Sequence, residues 1–170
     1  MIRRSHEQDG TVSTVTYSDC EKYRYDLTRT WDAGGPCLLY IMLNPSKADE
    51  RRNDPTVERC ERRARALGYG ALRVTNIFAW RDTDPHAMRR AKKPIGPDND
   101  TTLADSCHWA NGILAAWGTH GAHMDRGPQI AAMLHAQKTP LFHLGLTKDG
   151  HPRHPLYIAY QTQPTRWDME

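Results

Sequence analysis

Apolar runs of strand length alternate along the chain with segments whose apolar residues recur at helical spacing. Continuous apolar runs cover residues 37–43, 71–78, 112–117 and 140–146, and such runs are typical of strands covered on both faces. Helical segments separate them. Because the order is β-α-β-α-β-α-β, the pattern predicts an α/β fold with a mostly parallel sheet and helices on both faces.

Capping residues place the starts of three helices, at Asp54-Pro55, at Asp98 and at Pro128. Aspartate accepts hydrogen bonds from the first free N–H groups of a helix, and proline suits the first helical position. The first helix is predicted to end at Gly68. The residues predicted to face the core are Val57, Cys60, Ala64 and Leu67 in the first helix, Leu103, Cys107 and Ala110 in the second, and Ile130, Met133 and Leu134 in the third.

Two features lie outside this alternation. Residues 11–17 and 23–28 are rich in β-branched and aromatic side chains, and they predict an N-terminal hairpin. A long connection over residues 79–96 contains Asp84-Pro85, which predicts a short helical turn. Connections of this length tend to be functional or mobile.

Composition narrows the class of protein. With 170 residues, 38% hydrophobic and 25% charged, we expect one folded domain over residues 1–170, with a core at 24–157 and peripheral termini. No apolar run approaches the roughly twenty residues that cross a bilayer, and residues 1–6 lack the apolar core of a signal peptide. We therefore expect a cytoplasmic protein with no membrane partner. The four cysteines stand far apart, which indicates reduced, mostly buried thiols.

Basic residues cluster in two places, although the formal net charge is only +3. The first cluster shares a predicted helix with Glu58 and Glu61, which is typical of a solvated helix face. The second lies in the long connection, where either a solvated surface or contacts with phosphate groups fit the pattern. The first cluster is Arg59, Arg62, Arg63 and Arg65, and the second is Arg81, Arg89, Arg90, Lys92 and Lys93.

Polar residues follow all four predicted core strands. In an open parallel sheet the ligand crevice lies outside the carboxyl ends of the strands, so these residues are expected to gather at one edge. They are Asn44-Pro45-Ser46-Lys47-Ala48-Asp49 after the first strand, Asn76 and Trp80-Arg81 around the end of the second, Trp117-Gly118-Thr119-His120-Gly121 at the end of the third, and residues 147–157 after the fourth.

Each of these residues also has an ordinary structural explanation. Asp54 is more typical of a helix cap than of a catalyst, Asn44-Pro45 of a turn, and Trp117 of a core residue. Asp49 suits a role in holding its own loop, and the histidines His120, His123 and His135 suit the surface. The stronger indication is collective, because four successive strands deliver polar or aromatic groups to the same edge.

The order of motifs from residue 24 to 157 resembles an uncharacterised bacterial and phage family, catalogued as a domain of unknown function. The motifs are Leu43-Asn44-Pro45-Ser46, Asp54-Pro55-Thr56, Trp117-Gly118 and His154-Pro155-Leu156-Tyr157. The same residues also resemble the uracil-DNA glycosylase superfamily. That resemblance implies a three-layer α/β/α sandwich and an activity that cuts a base from its deoxyribose.

The superfamily resemblance also implies roles for individual residues. Asn44-Pro45 is similar to a motif whose polar side chain orients the attacking water, and Asn76 to an asparagine that reads the base edge. The His-Pro loop has an extra residue here, so either His151 or His154 is expected to support the departing base. The full implied set is Asn44, His154 and His151 as catalytic residues, and Ser46, Asn76, Phe78, Arg81, Trp117, Gly118 and Arg153 as substrate-binding residues, with no metal and no cofactor.

The chemistry of N-glycosidic cleavage explains these residue types. Positive charge builds on the sugar and negative charge on the base, so the site needs a polar group that holds water and a donor that faces the base. We expect Asn44 and His154 to face one pocket with Asn76 between them. An aromatic ring such as Phe78, Tyr40 or Trp80 would stack on the extruded base.

Three functions stand as hypotheses. The first is a DNA-glycosylase-like enzyme acting on a damaged or modified base in DNA or a related nucleic acid. The second is a non-catalytic module of the same fold that binds nucleic acid or a nucleotide, since Asn44 activates water more weakly than an aspartate. The third is a metal-dependent hydrolase with Asp49, Asp54, His151 and His154 as ligands. The sequence indicates no oligomeric state.

Overall fold

The computed structural model describes residues 1–168, which form one eight-stranded sheet and four α-helices. The strands are β1 (Ile2–Gln8), β2 (Thr11–Tyr17), β3 (Arg24–Thr30), β4 (Cys37–Met42), β5 (Ala71–Asn76), β6 (Gly112–Ala115), β7 (Phe142–His143) and β8 (Thr165–Arg166). The helices are α1 (Pro55–Ala66), α2 (Pro85–Arg90), α3 (Asn99–Trp109) and α4 (Arg126–Ala136), with a 3-10 segment, Thr119–Asp125, before α4. In this part of the chain, no helix has the length and apolarity needed to cross a membrane.

The sheet has the strand order β1-β2-β3-β5-β4-β6-β7-β8. Its interior strands β5, β4, β6 and β7 run parallel, as their apolar runs predict. The prediction of a mostly parallel sheet is nevertheless wrong, because the other four pairings are antiparallel. The cause is that β3 pairs with the free edge of β5, so the N-terminal strands extend the same sheet instead of forming a separate hairpin.

Strand β1 was not predicted from the sequence. Its side chains are almost all polar and lie at the surface, so no apolar periodicity marks it. It forms because the main chain of β2 offers a full ladder, from Ile2 opposite Tyr17 to Gln8 opposite Thr11. β1 and β8 are the two edges of the sheet.

Residues of β4 alternate between two hydrophobic clusters, one on each face of the sheet. Leu38 and Tyr40 belong to a cluster that includes the buried face of α1. Leu39 and Ile41 belong to a cluster that includes residues of α2, α3 and α4. The central strand is therefore covered by helices on both sides, which explains its uninterrupted apolar sequence.

Capping explains the start of α1, and its position is as predicted. The Asp54 Oδ1 atom accepts a hydrogen bond of 2.8 Å from the main-chain N–H of Val57. α4 begins two residues earlier than predicted, at Arg126, and Met133 was wrongly expected to be buried, since it is 37% exposed. The cysteines were also misjudged, because only Cys60 is buried and Cys20 is exposed.

The basic face of α1 is only partly the solvated surface that the sequence indicates. Arg62 and Arg65 are exposed and pair with Glu58 and Glu61. Arg63 is buried and donates hydrogen bonds to the main-chain oxygens of residues 158–160 and 162. The C-terminal segment crosses this helix, and its main-chain carbonyl oxygens accept the hydrogen bonds of the buried guanidinium.

Candidate active site

A cavity of about 450 Å³ opens at the carboxyl ends of the parallel strands. Its walls come from the segments that follow β4, β5 and β6, from the first turn of α1, and from the loop after β7. This is the edge at which α/β sheets bind their ligands. The lining residues are Arg24, Met42–Asn44, Ser46, Asp54–Val57, Val74, Asn76, Asp82, Thr83, Pro85, Trp117–His120, His154 and Leu156.

Six of the ten residues singled out from the sequence line this cavity. They are Asn44, Ser46, Asn76, Trp117, Gly118 and His154. Phe78 is fully buried in the core and packs near the ring of His123. The ring in the cavity wall is therefore Trp117, not one of the aromatic residues Phe78, Tyr40 and Trp80.

The other three residues lie outside the cavity wall. Arg81 points toward the N-terminal strands, where it donates to the main-chain oxygen of Glu21 and lies over the ring of Tyr17. His151 forms a turn, in which its N–H donates to Thr147 Oγ1 at 3.1 Å. Arg153 is exposed and packs along Gly145. The His-Pro loop thus turns His154 inward and leaves His151 outside.

Asn44 follows β4 directly and has a fixed orientation. Its Nδ2 group donates to the main-chain oxygen of Asp82 at 2.8 Å and to that of Pro45 at 3.4 Å. Within residues 1–168 its Oδ1 atom accepts no hydrogen bond. Asn44 can therefore accept one from a ligand or a water molecule in the cavity.

Asn76, the last residue of β5, is only 1% exposed, yet its Nδ2 group has no hydrogen-bond partner in residues 1–168. Its main-chain oxygen accepts a hydrogen bond of 2.8 Å from the buried side chain of Asn99, which holds the strand end in place. A buried amide donor without a partner is costly. Asn76 lines the cavity wall, so a bound molecule is the candidate partner for this donor.

His154 is held as a neutral donor. Its Nδ1 atom accepts a hydrogen bond of 3.3 Å from the N–H of Leu156, so the neutral ring carries its proton on Nε2. Burial lowers the pKa of His154, and the nearby carboxylate of Asp54 opposes this effect only in part. At neutral pH the ring is uncharged, and Nε2–H is available to an acceptor in the cavity.

Two glycines shape the wall on the side of β6. Gly118 has a φ of +72°, which disfavours other residues, and its N–H donates to the main-chain oxygen of Pro152 at 2.8 Å. This bond ties the His154 loop to the end of β6. Gly121 lies directly against the indole ring of Trp117, and a Cβ atom there would collide with that ring.

Three further residues line the cavity but were not among the ten predicted catalytic and substrate-binding residues. Arg24 is a buried arginine on β3, and no sequence pattern separates it from a surface arginine. Asp54 both caps α1 and lines the cavity, and its Oδ2 atom accepts a hydrogen bond of 3.3 Å from the N–H of Ala48. His120, expected at the surface, lines the cavity with its ring 5.0 Å from that of His86.

The residues considered as metal ligands do not form one group, although Asp54 and His154 line the same cavity. Asp49 binds the main chain of its own loop through Oδ1, which accepts from the N–H groups of Arg51 and Arg52 at 2.8 Å. Asp54 accepts from two main-chain N–H groups. Across residues 1–168, no three side chains of His, Cys, Asp or Glu form a group that could hold a metal ion.

Comparison with known proteins gives a single match. Residues 24–156 match a family described as "Protein of unknown function (DUF1643)". No curated protein and no solved structure matches the chain. The matched region includes every residue that lines the cavity.

Proposed function

The chain belongs to the DUF1643 family of proteins of unknown function, and from the geometry of its cavity we propose that it cleaves the N-glycosidic bond of a damaged or modified base in DNA or a related nucleic acid. One observation carries the proposal. Asn44, Asn76 and His154 come from three separate segments and line one cavity. Each keeps one hydrogen-bonding atom without a partner in residues 1–168: Oδ1, Nδ2 and Nε2 respectively.

These three atoms suit the charges of the reaction. Asn44 Oδ1 would hold the attacking water on the sugar side, where an acceptor also favours the positive charge that develops on the deoxyribose. His154 Nε2–H would donate to the base oxygen that gains negative charge as the bond breaks. Asn76 Nδ2–H would read an acceptor on the base edge, and the Trp117 ring would supply a flat wall.

The cavity also has the size that the proposal requires. A volume of about 450 Å³ lies within the range of ordinary small-molecule sites and can admit a nucleobase with its sugar. His120 lines the cavity beside the ring of His86, and burial, His86 and Arg89, in that order, lower the pKa of His120. Cationic and aromatic groups beside a cavity suit a nucleic-acid strand.

A relationship with the uracil-DNA glycosylase superfamily is part of the proposal. What supports it is the order of the lining motifs along the chain and the position of α1 on one face of the sheet with α3 and α4 on the other. In that interpretation β5, β4, β6 and β7 are the shared parallel core of a three-layer α/β/α sandwich. β1, β2, β3 and β8 are antiparallel additions to it.

A panel of oligonucleotides tests the activity. Each carries one damaged or hypermodified base, is incubated with the protein, and is then treated with alkali, which cuts the strand at abasic sites. We expect alkali-dependent cleavage at one class of base with the natural protein and roughly hundredfold slower cleavage with Asn44→Ala. If no member of the panel yields abasic sites, the glycosylase proposal is wrong.

A non-catalytic nucleotide-binding module is the second candidate, and one observation favours it. The residue at the water-holding position is an amide, and an asparagine cannot take up a proton at neutral pH as a carboxylate can. Saturable binding of the same oligonucleotides, with no abasic sites produced by either the natural protein or Asn44→Ala, would establish this module and exclude the enzyme.

A further inference from the structure

Arg24 occupies an unusual position in the cavity wall. It is the first residue of β3 and is only 2% exposed. Its Nη1 group donates to the main-chain oxygen of Ala48 at 2.8 Å, and among the described residues its buried Nε group has no hydrogen-bond partner. Within residues 1–168, no carboxylate forms an ion pair with it.

The other buried arginines show what this side chain lacks. Arg29 also has one unpartnered buried atom, Nη1, but it donates to the main-chain oxygens of Asp49 and Arg52 and to Asn53 Oδ1. Arg63 reaches four main-chain oxygens, and Arg126 binds both Ile77 and the carboxylate of Asp100. Arg24 has one acceptor. A buried guanidinium with so few partners is costly unless an anion completes its shell.

Its charge persists in this environment. Burial lowers the pKa of Arg24 to about 10, so the guanidinium stays protonated at neutral pH. Arg29 and Arg81 are its cationic neighbours, and Asp54 is the carboxylate whose charge reaches it. Both Asp54 oxygens already accept main-chain N–H groups, which reduces their repulsion of an incoming anion.

Two further donors line the same cavity. The N-terminus of α1 contributes the N–H of Thr56, which makes no hydrogen bond within the described residues, and the partial positive charge of a twelve-residue helix. Asn76 contributes its buried, unpartnered Nδ2 group. A helix N-terminus alone would not mark a site, but here two unpartnered buried side chains line the same cavity.

We propose that Arg24 and the N-terminus of α1 form an anion subsite in the cavity, which takes a phosphate group attached to the bound nucleoside. This identification of the ligand as a nucleoside phosphate rests on the proposed function, since every nucleotide of a nucleic-acid substrate carries a phosphate on the sugar of its base. Guanidinium and helix N-terminus both favour phosphate oxygens, the first by paired N–H donors and the second by its dipole.

The first test uses the natural protein and inorganic phosphate. The side-chain Nε–H of arginine gives its own signal in ¹H–¹⁵N NMR spectra, so the signal of Arg24, assigned by its loss in Arg24→Met, reports directly on the unpartnered group. We expect a saturable shift of this signal with phosphate and none with chloride at the same ionic strength. A signal that does not move with phosphate would overturn the subsite.

The second test uses variants and pairs of ligands. Each 2′-deoxynucleoside is compared with its 5′-monophosphate and with the matching dinucleotide, whose phosphate is a diester. We expect the phosphate to strengthen binding by about tenfold or more in the natural protein and to have almost no effect in Arg24→Met. Arg29→Met is the matched control, because Arg29 is buried on the same strand and contacts the same loop but does not line the cavity.

The ligand pairs show whether the phosphate belongs to a free nucleotide or to a strand, and they test the subsite independently of the proposed activity. Stronger binding of the monophosphate alone assigns the subsite to free nucleotides, and stronger binding of the dinucleotide assigns it to a strand. Phosphate binding without release of any base would retain the subsite and reject the glycosylase. Equal affinity for all three ligands, with Arg24→Met still folded by circular dichroism, would reject the subsite whatever the catalytic result.

Discussion

Asn44 Nδ2 donates a hydrogen bond of 2.8 Å to the main-chain oxygen of Asp82, which joins the segment after β4 to the segment after β5. The bond fixes which face of the amide is available to the cavity. Within residues 1–168 the amide oxygen accepts no hydrogen bond, so it can accept one from a ligand or a water molecule. This relationship makes Asn44 the most direct test of the proposed chemistry.

Replacement of Asn44 by alanine should lower the turnover of base release by roughly a hundredfold while substrate binding persists, because the amide oxygen acts mainly on the transition state. Single-turnover kinetics and equilibrium binding measure the two effects separately. The control is Asn111→Ala, since Asn111 holds the opposite end of β4 through the N–H of Cys37. Equal losses of binding and turnover in Asn44→Ala would argue against a catalytic role.

Asn76→Leu should separate ligand binding from stability. The buried Nδ2 group has no hydrogen-bond partner in the described part of the chain, so an apolar side chain of similar shape removes an unsatisfied donor and costs little free energy of unfolding. Ligand affinity should fall by about tenfold or more because the base-reading donor is lost. Urea denaturation and ligand titration provide the two readouts. A strongly destabilised variant would mean that Asn76 serves the fold.

Arg63→Met should loosen the C-terminal segment. The variant loses the hydrogen bonds to the main-chain oxygens of residues 158–160 and 162, and we expect the free energy of unfolding to fall by about 2–3 kcal/mol. The matched control on the same helix is Arg62→Met, whose exposed pair with Glu58 should contribute almost nothing. Similar stability of the two variants in urea would contradict the structural role assigned to Arg63.

The pH dependence of stability should report on His154. Burial lowers the pKa of this group in the folded protein, so the unfolded chain binds the proton more readily. Its contribution is fully present above the unfolded pKa of about 6.5 and is lost as the pH falls through the lower folded pKa. His154→Gln should reduce the loss of the free energy of unfolding at acid pH, as measured by urea denaturation across that pH range. If the variant loses the same stability at acid pH, the loss comes from other groups, among them His120, His123 and His143, whose pKa values are also lowered.

The basic connection after β5 should contribute unequally to nucleic-acid binding. Arg89 lies near His120, which lines the cavity, whereas Lys92 and Lys93 line a separate groove with Tyr23 and Met124. Arg89→Ala should therefore reduce the slope of log affinity against log salt by about one unit, and the Lys92/Lys93 double variant should reduce it less. Equal slopes in all three proteins would show that the connection makes no phosphate contacts and is an ordinary solvated surface.

The sequence by itself determined the elements whose causes are local. The apolar runs of β4, β5 and β6 predict buried strands because each must be covered on both faces, and Asp54-Pro55 predicts the start of α1 because capping acts within one turn. The chain order also predicted that Asn44 and His154 would approach each other. The shared edge follows from the rule that the carboxyl ends of parallel strands meet there, whereas the choice of His154 rested on the superfamily resemblance and left His151 as an alternative.

Tertiary structure decided what depends on pairing and on contacts between distant segments. β1 has no apolar period and exists because β2 offers it a ladder. Arg24 turns inward at a point where the register of β2 and β3 shifts between Thr16 and Tyr17, and no local pattern marks that shift. Arg63 is buried because a segment almost a hundred residues away crosses its helix. The sequence does not show whether water, a carbonyl oxygen or a ligand accepts the hydrogen bonds of an arginine. Only the folded chain distinguishes these environments, because the partners come from distant segments.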